Sequence, residues 1–148
     1  MTIEKGAKLF VSAVGLPARH IMERLHKAGI LYMNMVDHPK RVTKALENGA
    51  DIVCAKGGEG SGHTGTVPTS ILIPAVARLC SGRISSSTGI EVQVVADGGM
   101  YISRSLVVAL QLGATGIWVG TRFITAKEAG ASRAHQDEAC DAGFDSPI

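Results

Sequence analysis

Val94-Val-Ala-Asp-Gly-Gly-Met-Tyr-Ile-Ser-Arg-Ser-Leu-Val-Val-Ala-Leu-Gln-Leu-Gly-Ala-Thr-Gly-Ile-Trp-Val-Gly-Thr121 decides the fold. It opens on an apolar, β-branched run that stops at Asp97-Gly98-Gly99. An amphipathic stretch follows, Ile102 to Leu112, closed by Gly113. A second apolar run, Gly116-Ile-Trp-Val-Gly120, comes directly after it. Strand, helix and strand with such short joints can only pair parallel, because the helix carries the chain back to the starting edge.

The same alternation extends towards the N-terminus. Leu9–Val14, Ile30–Val36, Asp51–Ala55 and Val92–Ala96 are apolar runs of strand length that end near Gly, Pro or Asp. They read, with Gly116–Gly120, as five buried parallel strands. Helical periodicity falls between them. Residues 17–28 place Ile21, Leu25 and Ala28 on one face. Residues 39–48 carry Val42, Ala45 and Leu46 and stop at Gly49, a natural helix end. Residues 70–79 are apolar at Ile71, Ile73, Val76 and Leu79, with Pro74 as a kink. A longer polar helix is expected over residues 126–142.

The predicted class is therefore α/β, and two architectures compete: a doubly wound open sheet and a (β/α)₈ barrel. No GxGxxG follows the first strand, which weakens the dinucleotide-binding reading. The long loop at residues 57–67 lies at the end of the third strand, where barrels place catalytic loops. The expectation is a partial TIM (β/α)₈ barrel of about five βα units, residues 1–148 forming a single domain. A complete barrel needs roughly 200 residues or more. Five units leave open edges, which suit either a non-catalytic truncated fragment or a homo-oligomer formed through them.

Bulk properties narrow the function classes. The chain has 148 residues, 45% hydrophobic and 19% charged, enough to build a core. A net charge of +2 and few aromatics argue against a nucleic-acid partner. No apolar run reaches the roughly 20 residues of a membrane span, and no signal peptide is visible, so a cytoplasmic location is expected. Three cysteines, Cys54, Cys80 and Cys140, match no metal spacing and read as reduced and structural. No metal is expected.

Three loops carry candidate chemistry. Ala96-Asp-Gly-Gly-Met100 and Val119-Gly-Thr-Arg-Phe123 each follow a strand, and their glycines let backbone N–H groups approach an anion. Adjacent glycine loops after the last strands of a barrel commonly hold a phosphate, and ordinary tight turns are the competing reading. Arg122 either neutralises that anion or forms a surface ion pair. The third loop, Lys56-Gly-Gly-Glu-Gly-Ser-Gly-His-Thr-Gly65, holds His63, a residue type whose unperturbed pKa lies near neutrality, which can act as a base or stand as a solvated loop residue. Glu59 suits a turn cap. His38 suits a turn cap as well, while His20, His26 and His135 read as solvated helix positions.

These segments resemble fungal nitronate monooxygenase, the FMN enzyme family formerly called 2-nitropropane dioxygenase. The resemblance runs through Lys8-Leu-Phe-Val-Ser-Ala-Val-Gly15, Ile30-Leu-Tyr-Met-Asn-Met35, Cys54-Ala-Lys-Gly-Gly-Glu-Gly-Ser-Gly-His-Thr-Gly65, Ala96-Asp-Gly-Gly99 and Gly116-Ile-Trp-Val-Gly-Thr-Arg-Phe-Ile-Thr-Ala126. It implies that the five strands are the fourth to eighth of the barrel, with the first three and a second, substrate-binding domain absent. It also implies FMN as cofactor and oxidation of nitronates or nitroalkanes by O2 to a carbonyl compound and nitrite. His63 matches the catalytic base. Lys56, Ser61, Gly62, Gly98, Gly99, Trp118, Val119, Gly120 and Thr121 match cofactor-binding positions. Lys56 and Ser61 replace the usual Gln and Gly, and Tyr101-Ile-Ser-Arg-Ser105 replaces a more glycine-rich segment. A related FMN-dependent enoyl or NAD(P)H:quinone reductase is the enzymatic alternative.

Overall fold

The computed structural model describes residues 3–60, 62 and 65–143. Five strands form one parallel sheet: β1 (Leu9–Ser12), β2 (Leu31–Val36), β3 (Ile52–Lys56), β4 (Gln93–Asp97) and β5 (Gly116–Trp118). The helices α1 (Arg19–Lys27), α2 (Val42–Glu47), α3 (Thr69–Cys80) and α4 (Ser103–Gln111) alternate with them, and α5 (Arg133–Asp141) follows β5. The strand order in space is the order in sequence, β1-β2-β3-β4-β5.

That order decides between the two architectures. A doubly wound sheet reverses direction and places helices on both faces. Here every crossover steps to the next position, so the first four helices stack on one face. One cluster unites Met22 and Leu25 of α1, Val42 and Ala45 of α2, Leu72, Ile73, Val76 and Cys80 of α3, and Ala109 of α4 with strand residues Tyr32, Val36, Val53, Ala55, Val94 and Ala96. The opposite parity points to the concave side in register: Val11, Met33, Ile52 and Gln93 form one row, and Met35, Cys54, Val95 and Gly116 the next. The chain is an arc of a TIM barrel, a partial (β/α)₈ fold. Layered rows inside and helices outside are what barrel strands of alternating parity produce.

Tertiary packing trims and rotates several predicted elements. Met22 and Leu25 face the core while Ile21 is exposed, and Leu72 is buried while Ile71 is exposed. In both helices two adjacent apolar residues competed for one inward position, and the angle at which the helix lies on the sheet chose between them. Residues 39–41 form a 3₁₀ turn before α2, capped by His38, whose Nδ1 accepts from Lys40 N at 3.1 Å. Residues 126–132 are not helical, and α5 begins only at Arg133 behind Ser132, whose hydroxyl accepts from His135 N. Pro74 sits within a continuous α3.

One histidine reading is corrected. His26 is not a solvated helix residue: its Nε2 donates to Asp51 Oδ2 at 3.1 Å, and its side chain is largely covered. Asp51 precedes β3 at the rim opposite the glycine loops, and Tyr32 N and the hydroxyls of Ser85 and Ser87 also donate to its carboxylate. These bonds give a buried charge the donors it needs, and they pin the long segment between α3 and β4 to the sheet.

Candidate anion and cofactor site

The loops after β3, β4 and β5 meet at the C-terminal rim, the end at which barrels build active sites. They line a cleft of about 450 Å³ whose walls include Glu59, Gly98, Gly99, Trp118, Gly120 and Thr121. Met100, Tyr101 and Arg122 complete the wall, and α5 closes one side with Ala139 and Cys140. The side-chain amide of Gln136 holds α5 there by donating to Ile124 O and Ala126 O.

The N–H groups of Gly99, Met100, Gly120 and Thr121 donate to no group of the described chain, since the hydrogen bonds of both loops run elsewhere. Four free donors on two adjacent loops are the physical requirement for holding an oxyanion. Gly98 is at φ +109°, where a side chain is strained, and a Cβ there would lie 2.7 Å from Thr69 Oγ1. Arg122 makes no ion pair among the described residues, which leaves its charge available to the cleft.

The β3 loop is tied to the β4 loop through the start of α3. Gly57 N donates to Asp97 O at 2.9 Å. Thr69 N donates to the two carboxylate oxygens of Glu59 at 3.2 and 2.9 Å, and the Thr69 hydroxyl donates to Oε2 at 2.5 Å. The same hydroxyl oxygen lies 3.2 Å from Gly98 O. Glu59 therefore caps α3 from outside the helix. Partial burial raises its pKa, but the bonds from Thr69 outweigh that and hold it below the ordinary value. Two loop glycines serve packing here rather than ligand contact: a Cβ on Gly57 would come within 2.6 Å of Thr69 Cα, and one on Gly65 within 2.7 Å of Asp37 O.

A row on the concave side runs from the cleft to Lys56, which lines a neighbouring groove with Met35 and Arg41. Lys56, Asp97 and Trp118 are register partners on β3, β4 and β5. Lys56 Nζ lies 3.8 Å from Asp97 Oδ2, with both side chains mostly covered. Burial raises the Asp97 pKa, and Lys56 opposes the rise. Gly62 sits beside Lys56, and a Cβ on it would be 3.8 Å from Nζ.

Of the positions expected to bind a cofactor, Gly98, Gly99, Trp118, Gly120 and Thr121 line one cleft. Val119 turns to a groove on the outer side of β5 with Ile102, Leu106 and Phe123. His63 and Ser61 lie outside the described residues. Asp97 also lines the cleft, and Thr69 stands behind it, bonded to Glu59 and beside Gly98 O; neither was a predicted site residue. Asp97 was legible as the residue before the Gly-Gly pair, whereas nothing local marks Thr69.

Among the described residues no group of three or more His, Cys, Asp or Glu could hold a metal, and no helix is long and apolar enough to cross a membrane. Cys54 and Cys80 are buried free thiols, and Cys140 is exposed.

Comparison with known proteins agrees with this layout. The chain is 38% identical over 114 residues to nitronate monooxygenase of Neurospora crassa, an alignment covering 76% of the chain and 29% of that protein. It is 37% identical over 112 residues to a (3aS,4S,5R,7aS)-5-hydroxy-7a-methyl-1-oxo-octahydro-1H-indene-4-carboxyl-CoA dehydrogenase of Rhodococcus jostii, covering 76% of the chain and 29% of that protein. The structure of FabK from Thermotoga maritima superposes with a TM-score of 0.81 at 26% identity, over 96% of the chain and 42% of that protein. The chain thus spans well under half the length of these relatives. The sequence pattern of nitronate monooxygenase matches residues 1–147, nearly end to end, and the chain belongs to the nitronate monooxygenase family.

Proposed function

We propose that this chain carries the cofactor-binding face of an FMN-dependent enzyme that converts nitronates or nitroalkanes and O2 to a carbonyl compound and nitrite. The observation that carries the reading is that Gly99, Met100, Gly120 and Thr121, whose N–H groups donate to no described group, line one cleft with Arg122. Family membership and the Neurospora relative support the reaction class.

The residues fit the phosphate of FMN. The four N–H groups would bind its oxygens, the Thr121 hydroxyl adds a donor, and Arg122 offsets charge. Trp118, Lys56, Gly62 and Ser61 would contact the remainder of the cofactor, with Val119 supporting the loop. When bound, FMN would supply the redox chemistry of the reaction. His63 would remove the α-proton of a neutral nitroalkane, a task that suits an imidazole titrating near neutrality. A nitronate arrives already deprotonated. Lys56 would place a positive charge beside the cofactor. The reading includes a single domain over residues 1–148 that supplies the fourth to eighth strands of the barrel, a cytoplasmic location, and self-association through the edges of β1 and β5.

Titration of the purified chain with FMN tests it. Binding should quench flavin fluorescence, and the loaded protein should release nitrite from a nitronate in air. Protein that stays colourless and takes up no FMN overturns the reading and leaves a non-catalytic member of the family. Anaerobic bleaching by NAD(P)H but not by nitronate would replace it with an enoyl or quinone reductase.

A further inference from the structure

Glu59 poses a problem for an anion site. It lines the same cleft as Gly99 and Gly120, and its Cβ lies 3.6 Å from where a Cβ on Gly99 would stand. A second carboxylate, Asp97, lines the cleft as well. Two carboxylates beside a phosphate oppose its binding at short range. Asp97 has a counter-charge in Lys56, but Glu59 has none: among the described ion pairs it has no partner.

The carboxylate is instead satisfied by Thr69. Both its oxygens accept from Thr69 N, and Oε2 also accepts the Thr69 hydroxyl at 2.5 Å. The hydroxyl has one proton. Gly98 O, at 3.2 Å, is the more distant acceptor, so that proton belongs to Glu59. The start of α3 adds the favourable partial positive charge of the helix N-terminus, which offsets the negative charge of Glu59.

We propose that Thr69 determines the ligand class of the cleft: by holding the Glu59 carboxylate against the first turn of α3, it lets the loops of Gly98–Gly99 and Gly120–Thr121 accept a phosphate dianion. Thr69 is a positioning residue, acting through Glu59 on the phosphate end of the ligand only. The proposal rests on the FMN reading and concerns which part of that ligand Thr69 serves.

The test compares FMN with riboflavin, which differ by the phosphate. Dissociation constants are measured by fluorescence quenching for the full chain, for Thr69→Val, Thr69→Ser and Glu59→Gln, and for the double variant Glu59→Gln/Thr69→Val. Far-UV circular dichroism and melting confirm that each variant is folded. The wild-type chain should prefer FMN. Thr69→Val removes the hydroxyl bond and leaves only the backbone N–H to hold the carboxylate, which loosens it towards the cleft and should cut that preference about ten-fold, the scale of a like charge brought near in a partly solvated site. Riboflavin affinity should hardly move. Thr69→Ser should keep the preference, and the double variant should regain it because the loosened group is then neutral. An unchanged preference in Thr69→Val, or a loss that persists in the double variant, overturns the role of Thr69. A wild-type chain that binds both flavins equally overturns the phosphate site and the role of Thr69 with it. If it binds neither, the FMN reading itself fails.

Discussion

Lys56 Nζ and Asp97 Oδ2 stand 3.8 Å apart on adjacent strands, in register, on the concave side of the sheet. The pair joins the end of β3 to the residue that precedes the Gly98–Gly99 loop. Its two members carry opposite charges into a partly dry row, so each depends on the other.

Replacing Lys56 by Met should therefore expose that dependence. The folded-state pKa of Asp97 is raised by burial, with Lys56 opposing. A raised carboxylate binds more protons folded than unfolded, so its contribution to stability falls as pH climbs from the ordinary carboxylate range through the folded pKa, then levels off. Lys56→Met removes the opposing charge and should deepen the fall and carry it to higher pH. The expected loss is about 1–2 kcal/mol near neutrality, between the values for surface and buried pairs, and close to nothing in acid. Urea unfolding across a pH series measures it. A loss that is the same at every pH would show that the Lys56 stem, and not its charge, matters.

Glu59 should behave with the opposite sign. Its pKa is lowered in the fold, as the bonds from Thr69 outweigh partial burial. Its contribution is present above the unfolded pKa and disappears as pH falls through the folded one. Glu59→Gln should cost about 1 kcal/mol at neutral pH, the usual scale of a lost helix cap, and converge on the wild-type curve in acid. Thermal melts at neutral and acidic pH decide this. Parallel curves would mean that the charge of Glu59 does not matter to the cap.

The thiols should separate cleanly. Cys54 is buried, and desolvation pushes its thiol well above the ordinary range. Burial pushes Cys80 up to about 11. Cys140 is exposed at the rim of the cleft. A thiol reagent should label Cys140 alone in the native chain and all three cysteines in denaturant, as mass spectrometry would read directly. Fast native labelling of Cys54 would contradict the packed concave row.

His63→Asn tests the proposed base. Nitrite release from neutral nitroalkanes should fall about 100-fold or more, the range for losing a general base, while release from preformed nitronates should change far less. Equal loss on both substrates would assign His63 to binding instead of proton removal.

What the sequence determined by itself was the type and order of elements, because periodicity and glycine placement are local. Residues 94–121 already specified a parallel strand-helix-strand unit, and Gly98, Gly99, Gly120 and Thr121 were legible as a candidate anion site. Local patterns failed where two residues could take one place: Met22 over Ile21 and Leu72 over Ile71 depend on how each helix lies on the sheet. They failed again at residues 126–132, where polar helical composition does not produce a helix. The partial barrel was already the expectation from the sequence, and tertiary structure settled it over the open sheet by placing four helices on one face, because strand order is a relation among distant segments. Tertiary structure alone showed that Gly57 is small for the sake of Thr69, and Gly65 for Asp37. It also decided that Glu59, His26 and Lys56 are held by Thr69, Asp51 and Asp97. Those partners lie ten to forty-one residues away in sequence, beyond the reach of any helical or strand period, and only the packing of neighbouring units brings them together.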